Sequence, residues 1–102
     1  MSERNVVIGI ALEEACLTLE QLASACSVEA EWIVQRVDEG LLPPAEGSGT
    51  DWRFSPGELR RARRMRQIER DFEAVPELAA LVADMLEEMD ELRARLHRGG
   101  FR

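Results

Sequence analysis

The chain has 102 residues, 20 acidic and 13 basic side chains and a net charge of −7; this is enough for one domain with a modest core, yet short enough that an extended helix needs a partner to cover it. It has no apolar run of about 18 residues and no basic-plus-apolar leader, so a membrane span and a secretory signal are not expected and a cytoplasmic protein is. Cys16 and Cys26 lack C-x-x-C spacing and His97 is the lone histidine, so no metal or other cofactor is expected and the cysteines read as small core hydrophobes.

Val6 to Leu12, VVIGIAL, is a short run with β-branched residues and reads as a buried strand. The stretch from Leu17 to Pro44 then reads as two short helices joined by a tight turn. Thr18 is the expected N-cap of the first helix, with Gln21 completing a T-x-x-Q capping box and Leu17 placed to staple against Leu22. Leu19, Leu22, Ala23 and Cys26 form its apolar face. Ser27 offers a second N-cap, ahead of a second apolar stripe at Val28, Ile33 and Val37. Gly40 suits a left-handed helix end, and Pro43-Pro44 prevents resumption. Two helices so joined are a helix-turn-helix.

Leu41–Ala45 and Trp52–Phe54 flank a polar loop with two glycines and suggest a small hairpin, or wing, with Trp52 and Phe54 inward and Arg53 outward. Ser55-Pro-Gly-Glu58 combines an N-cap, a proline at the first helical position and a glutamate at the third, which starts a third helix. Leu59, Ala62, Met65, Ile68 and Phe72 give that helix its core stripe. Arg60, Arg61, Arg63, Arg64, Arg66 and Arg70 crowd its other faces, with Glu69 among them. Such a cluster suits either a phosphate-binding stripe or a solvated face paired with acidic neighbours, and the acidic total favours the second.

Val75-Pro76 marks a break and the start of a last helix to about Leu96. Leu78, Val82, Met85, Met89, Leu92 and Leu96 are spaced 4, 3, 4, 3, 4. This heptad seam predicts a homodimer, with packing back on the third helix as the competing explanation. The chain thus divides into a head, 1–74, and a dimerisation helix with its tail, 75–102.

Charge distribution narrows the function. Residues 1–57 hold 10 acidic and 3 basic side chains, whereas residues 58–102 hold 10 of each. Duplex binding relies on Lys and Arg neutralising phosphates, so an acidic reading half works against it. No paired base and nucleophile and no Gly-rich phosphate loop occur, so no catalytic residue is assigned and an enzyme is not expected.

The pattern L-T-L-E-Q-L-A, V-E-x-x-W-I, E-G-L-L-P-P and W-R-F-S-P-G-E-L between Leu17 and Leu59 resembles the winged helix-turn-helix of the MerR family, in which such a head is paired with a dimerising helix. MerR-type regulators usually carry Arg-Tyr or Arg-Tyr-Tyr after the isoleucine of the second helix as DNA contacts. The matching positions here are Val34, Gln35 and Arg36. The chain is more similar to the MerR-like chaperone modulators of the CbpM type. Their landmarks are a G-x-x-x-P turn (Gly40 to Pro44), a Trp-x-Phe wing strand (Trp52 to Phe54), an arginine-rich third helix (Arg60 to Arg70) and an x-Pro-x-φ-Ala start to the last (Val75 to Ala79). The segment ahead of the helix-turn-helix runs a few residues longer than the family pattern.

This resemblance implies a mainly α fold with a small β wing and a C-terminal heptad helix. It also implies a non-enzymatic protein that binds the J domain of a DnaJ-like (CbpA-type) co-chaperone and restrains its stimulation of the Hsp70 chaperone DnaK. A J domain presents a basic helix, so the expected contact surface is acidic: Glu29, Glu31, Asp38, Glu39, Glu46 and Asp51, with Leu41 and Leu42 as apolar anchors. The alternative is a MerR-type DNA-binding transcriptional regulator, for which Arg36, Arg53, Arg60, Arg61 and Arg64 are the expected duplex contacts. Neither reading needs a small-molecule substrate or a membrane.

Overall fold

In the computed structural model, which describes residues 16–47 and 51–99, four helices follow one another: α1 (Leu19–Cys26), α2 (Ala30–Asp38), α3 (Pro56–Phe72) and α4 (Pro76–Arg98). The strand expected at Val6 to Leu12 lies outside the described residues. α1 begins where its capping box requires: the Gln21 N–H donates to Thr18 Oγ1 at 3.2 Å, and the Thr18 N–H donates to Gln21 Oε1 at 2.9 Å.

Ser27 corrects the sequence reading. It is not the N-cap of α2; it ends α1 in the left-handed conformation, φ 58°, its N–H donating to the carbonyls of Ala23 and Ser24. Glu29 takes the N-cap position, without a side-chain bond. Gly40 is left-handed as expected, φ 76°. The N–H groups of Leu41 and Leu42 both return to the Arg36 carbonyl, at 2.9 and 3.2 Å, and swing Leu42 into the core.

Pairing of extended backbone between described residues consists of two isolated antiparallel bridges, Glu46 with Arg53 and Leu17 with Phe54. The second ties the segment ahead of α1 to the segment ahead of α3. Gly47, φ 90°, follows the first bridge in the left-handed region, and a Cβ there would lie 2.2 Å from the Asp51 carbonyl oxygen. Phe54 is fully buried, with Trp52 edge-on to it at 6.2 Å between ring centres.

Pro56 opens α3, and the Glu58 carboxylate reaches back to the Ser55 N–H at 2.7 Å and its hydroxyl at 2.5 Å. α3 is the spine of the fold. Its Ala62 closes a core of Leu22, Ala23, Cys26, Ile33, Leu42 and Phe54, and its Met65 anchors a second with Ala79, Ala80 and Ala83 of α4. Half-buried Trp32 packs against both. Phe72, expected on this stripe, is 76% exposed: α3 ends at that residue and the chain turns away through Glu73, itself left-handed at φ 50°.

α4 turns back across α3 through alanines, not through its heptad seam. With 3.6 residues per turn, Leu78, Val82, Met85, Met89, Leu92 and Leu96 lie roughly 140° around the axis from the Ala79, Ala80 and Ala83 face. All of the seam except half-buried Val82 is exposed. The seam therefore does not pack back on α3, as the competing sequence explanation required; a different face of the helix makes that contact. No described helix is long and apolar enough to cross a membrane.

Candidate functional site

The exposed face of α2 occupies the position of a reading helix in a helix-turn-helix, and its chemistry follows from which side chains turn inward. Ile33 is fully buried. Opposite it, at i, i+4 and i+7, stand Glu31, Gln35 and Asp38, all exposed, with Glu39 capping the end. Glu29 is exposed at the helix start.

The only basic residue of α2, Arg36, is turned away from this face. It is 6% exposed and forms a two-pronged bond to Glu69 of α3, Nε to Oε2 at 3.1 Å and Nη2 to Oε1 at 2.8 Å. Its guanidinium lies 4.4 Å over the Trp32 ring, and the Trp32 indole N–H also donates to Glu69 at 3.2 Å. Guanidinium and carboxylate match in planar fork geometry, and the ring adds a cation–π contact. Arg36, expected from the sequence as a duplex contact, is therefore consumed inside the head. Trp32 and Glu69 were not expected to have this role; the signal available was Glu69 itself, the one acid within an arginine-rich run.

The other expected residues are placed as follows. Leu42 is fully buried and unavailable as a surface anchor, while Leu41 is half-buried against the second core. Glu46 and Asp51 are exposed on the loop segment rather than on α2, and the Asp51 carboxylate stands 3.6 Å from Arg53. Arg53 folds onto its own segment, donating to the Trp52 carbonyl at 3.1 Å.

Arg61 and Arg64 are engaged by α4. Arg61 Nη1 meets Asp84 at 2.6 Å and Glu87 at 3.1 Å, and its Nε donates to the Leu41 carbonyl at 2.8 Å. Arg64 meets Asp90 at 2.5 Å. Burial works against the charge on Arg61, yet the hydrogen bonds and proximity of Asp84 and Glu87 leave its pKa raised. The hydrogen bond from Arg64 holds Asp90 below the usual carboxylate range, assisted by the charges of Arg64, Arg93 and Arg60 against a smaller opposing effect of desolvation. Arg60 stays exposed. Cys26 is buried and its thiol is pushed up by desolvation, against a smaller downward pull from Arg63. Cys16 is half-buried. No group of three or more His, Cys, Asp or Glu among the described residues is placed to hold a metal ion.

Residues 17–98 match the family model described as MerR HTH family regulatory protein. A chaperone modulatory protein CbpM from Coxiella burnetii is 29% identical over 94 residues, covering 91% of this chain and 89% of the relative. Proteins of the same name from Pseudomonas entomophila and Pseudomonas putida are 30% and 26% identical over 82 and 78 residues, each covering 76% of this chain and 77% of its own. No solved structure matches the chain significantly. The helix-turn-helix geometry and these relatives together place the chain in the MerR helix-turn-helix family, among its CbpM-type chaperone modulators.

Proposed function

We propose that this protein is a non-enzymatic chaperone modulator that binds the J domain of a DnaJ-like co-chaperone through the exposed face of α2 and so inhibits stimulation of the Hsp70 chaperone DnaK. The observation that carries this reading is the sorting of charge on α2: Glu31, Asp38 and Glu39 outward, Arg36 inward. An acidic face of that kind complements a basic helix and repels phosphate. The names of the relatives supply the chaperone context. Glu46 and Asp51 belong to the periphery of this surface, where charge affects association rate more than affinity.

The test is titration of a purified J domain into the wild type and into Glu31→Arg/Asp38→Arg. The reversal weakens binding by about 100-fold or more, on the order of 1.4 kcal/mol per ten-fold, and wild-type affinity falls with salt. Equal binding by the variant, or indifference to salt, refutes the reading. The alternative, a MerR-type DNA-binding regulator, draws on the family match alone. It predicts steeply salt-dependent capture of a palindromic duplex with Arg60 in contact and Arg53 released from its own segment to join it, since Arg36, Arg61 and Arg64 are held by Glu69 and α4.

The same proposal includes a homodimer built on Leu78, Val82, Met85, Met89, Leu92 and Leu96. The exposure of all of them but half-buried Val82 along a helix of 23 residues supports it, because an apolar stripe of this length is seldom left to solvent. Sedimentation of Met85→Glu/Leu92→Glu should give a monomer of unchanged helicity. A wild type that is monomeric at high concentration removes this part of the proposal.

A further inference from the structure

Apart from exposed Arg60, the arginines of α3 that form no ion pair with α4 gather on the side toward α1. Arg63, Arg66 and Arg70, at i, i+3 and i+7, line a cleft of about 370 Å³ whose opposite wall is the end of α1 at Ala25 to Ser27. None of the three forms an ion pair with a carboxylate among the described residues, although the chain as a whole carries −7. Arg63 makes one long bond, to the Ala25 carbonyl at 3.4 Å. The Nε of Arg66 is buried and has no hydrogen-bond partner among the described residues. Asp71 at the rim is the single acid lining this part. The cleft continues past Ser27 and Arg66 into a second hollow of about 290 Å³ floored by Val28 and Trp32 and edged by Glu29.

We infer that this cleft is a docking site for an extended acidic peptide carrying two carboxylates followed by an apolar side chain. A buried guanidinium N–H without an acceptor is a costly group to leave unmade, and a carboxylate oxygen is its natural complement. Arg63 to Arg70 spans about 10 Å of helix, long enough to bracket carboxylates on alternate residues of an extended strand, about 7 Å apart, each held by a neighbouring pair of arginines. The apolar hollow then takes the next side chain, and Glu29 keeps a third acid out of it. A polynucleotide fits less well: its many phosphates meet the field of the whole acidic chain, and the hollow beside the arginines offers no positive charge beyond Arg66. The site meets α2 only at its start, at Glu29 and Trp32, is not lined by Glu31, Asp38 or Glu39, and does not depend on what their face binds.

The experiment is fluorescence anisotropy with the full chain and a fluorescein-labelled octapeptide containing Glu-Ser-Asp-Leu, against the same peptide with Gln and Asn in place of its acids. Saturable, salt-sensitive binding of the acidic peptide is expected, weakened about ten-fold or more by Arg66→Gln and by Arg63→Gln/Arg70→Gln, each lost charge-assisted bond being worth about a factor of ten. Arg60→Gln, outside the cleft, leaves it unchanged. Arg63 and Arg70 are exposed, so their double variant keeps the test decisive if Arg66→Gln does not fold. Absence of saturable binding, equal binding of the neutral peptide, equal loss in Arg60→Gln, or tighter capture of a 20-base-pair duplex, a probe length of about two helical turns, overturns the inference.

Discussion

Removing the Glu69 carboxylate is the sharpest perturbation available in the head. In Glu69→Ala the Arg36 guanidinium keeps its buried position, with side-chain exposure of 8%, but loses both charge-assisted bonds, and the Trp32 indole N–H loses its acceptor. Breaking a buried pair from one side costs about 3–5 kcal/mol. Because Glu69 retains 13% exposure and water can reach the gap, the lower end applies, about 3 kcal/mol. Against a total stability of about 5–15 kcal/mol, that is a large fraction. Urea titration followed by circular dichroism reads it directly, and the midpoint of thermal unfolding should fall by roughly 12–24 °C. Replacing both partners by apolar residues, Arg36→Met/Glu69→Leu, should recover most of the loss, to within about 1 kcal/mol of the wild type. A loss below about 1 kcal/mol in Glu69→Ala, or a double variant as unstable as the sum of its single changes, would refute the coupling argued from this geometry.

Three further expectations follow from other parts of the molecule. Gly47→Ala places a methyl against the Asp51 carbonyl at a position of positive φ, and should lower stability by about 1–3 kcal/mol in the same titration; an unchanged midpoint contradicts the fit. In a Cys16→Ser background, alkylation of Cys26 by iodoacetamide should be about ten-fold slower or more in the folded chain than in denaturant, because burial makes its thiolate scarce. Arg63→Gln should slow it further, and equal rates folded and unfolded exclude this. The depressed pKa of Asp90 means that its stabilising contribution is present above the ordinary value of 3.8 and is lost as pH falls through the lower folded value. Stability curves of the wild type and Asp90→Asn should therefore separate at neutral pH and converge in acid; curves that stay parallel throughout dispose of the Arg64 pairing.

Local grammar was legible where a feature depends on a few neighbouring residues. Thr18 with Gln21, Ser55 with Glu58, Pro56, Pro76 and Gly40 each declare their conformation within four positions, and the structure has each where the sequence puts it. Ser27 was misjudged because serine serves both helix beginnings and left-handed ends, and the choice is made by backbone bonds to Ala23 and Ser24. Arg36 was legible as a basic residue on the second helix but not as a buried one, since its partner lies 33 positions away on α3. Leu42 looked like a loop leucine; two bonds to one carbonyl turn it inward. On α4 the large side chains drew attention to the heptad, while the face that packs is made of alanines, whose small apolar surface gives little signal in sequence. The acidity of α2 was fully visible in the sequence, whereas the cleft beside Arg66 was not, because it forms only when α1 and α3 meet.

The three alanines by which α4 rests on α3 also act as a fulcrum. They sit within the first eight residues of a rod about 34 Å long; past Ala83 the rod is held to α3 only through the ion pairs of Arg61 and Arg64 with Asp84, Glu87 and Asp90, and about 12 Å of it, from Asp90 to Arg98, projects beyond them. Any added methylene at Ala79, Ala80 or Ala83 lifts the arm at its pivot, and the displacement grows toward the tip. The bearing of the whole projecting shaft relative to the head is therefore encoded in the absence of bulk at three positions, where a change of a single carbon atom would re-aim it.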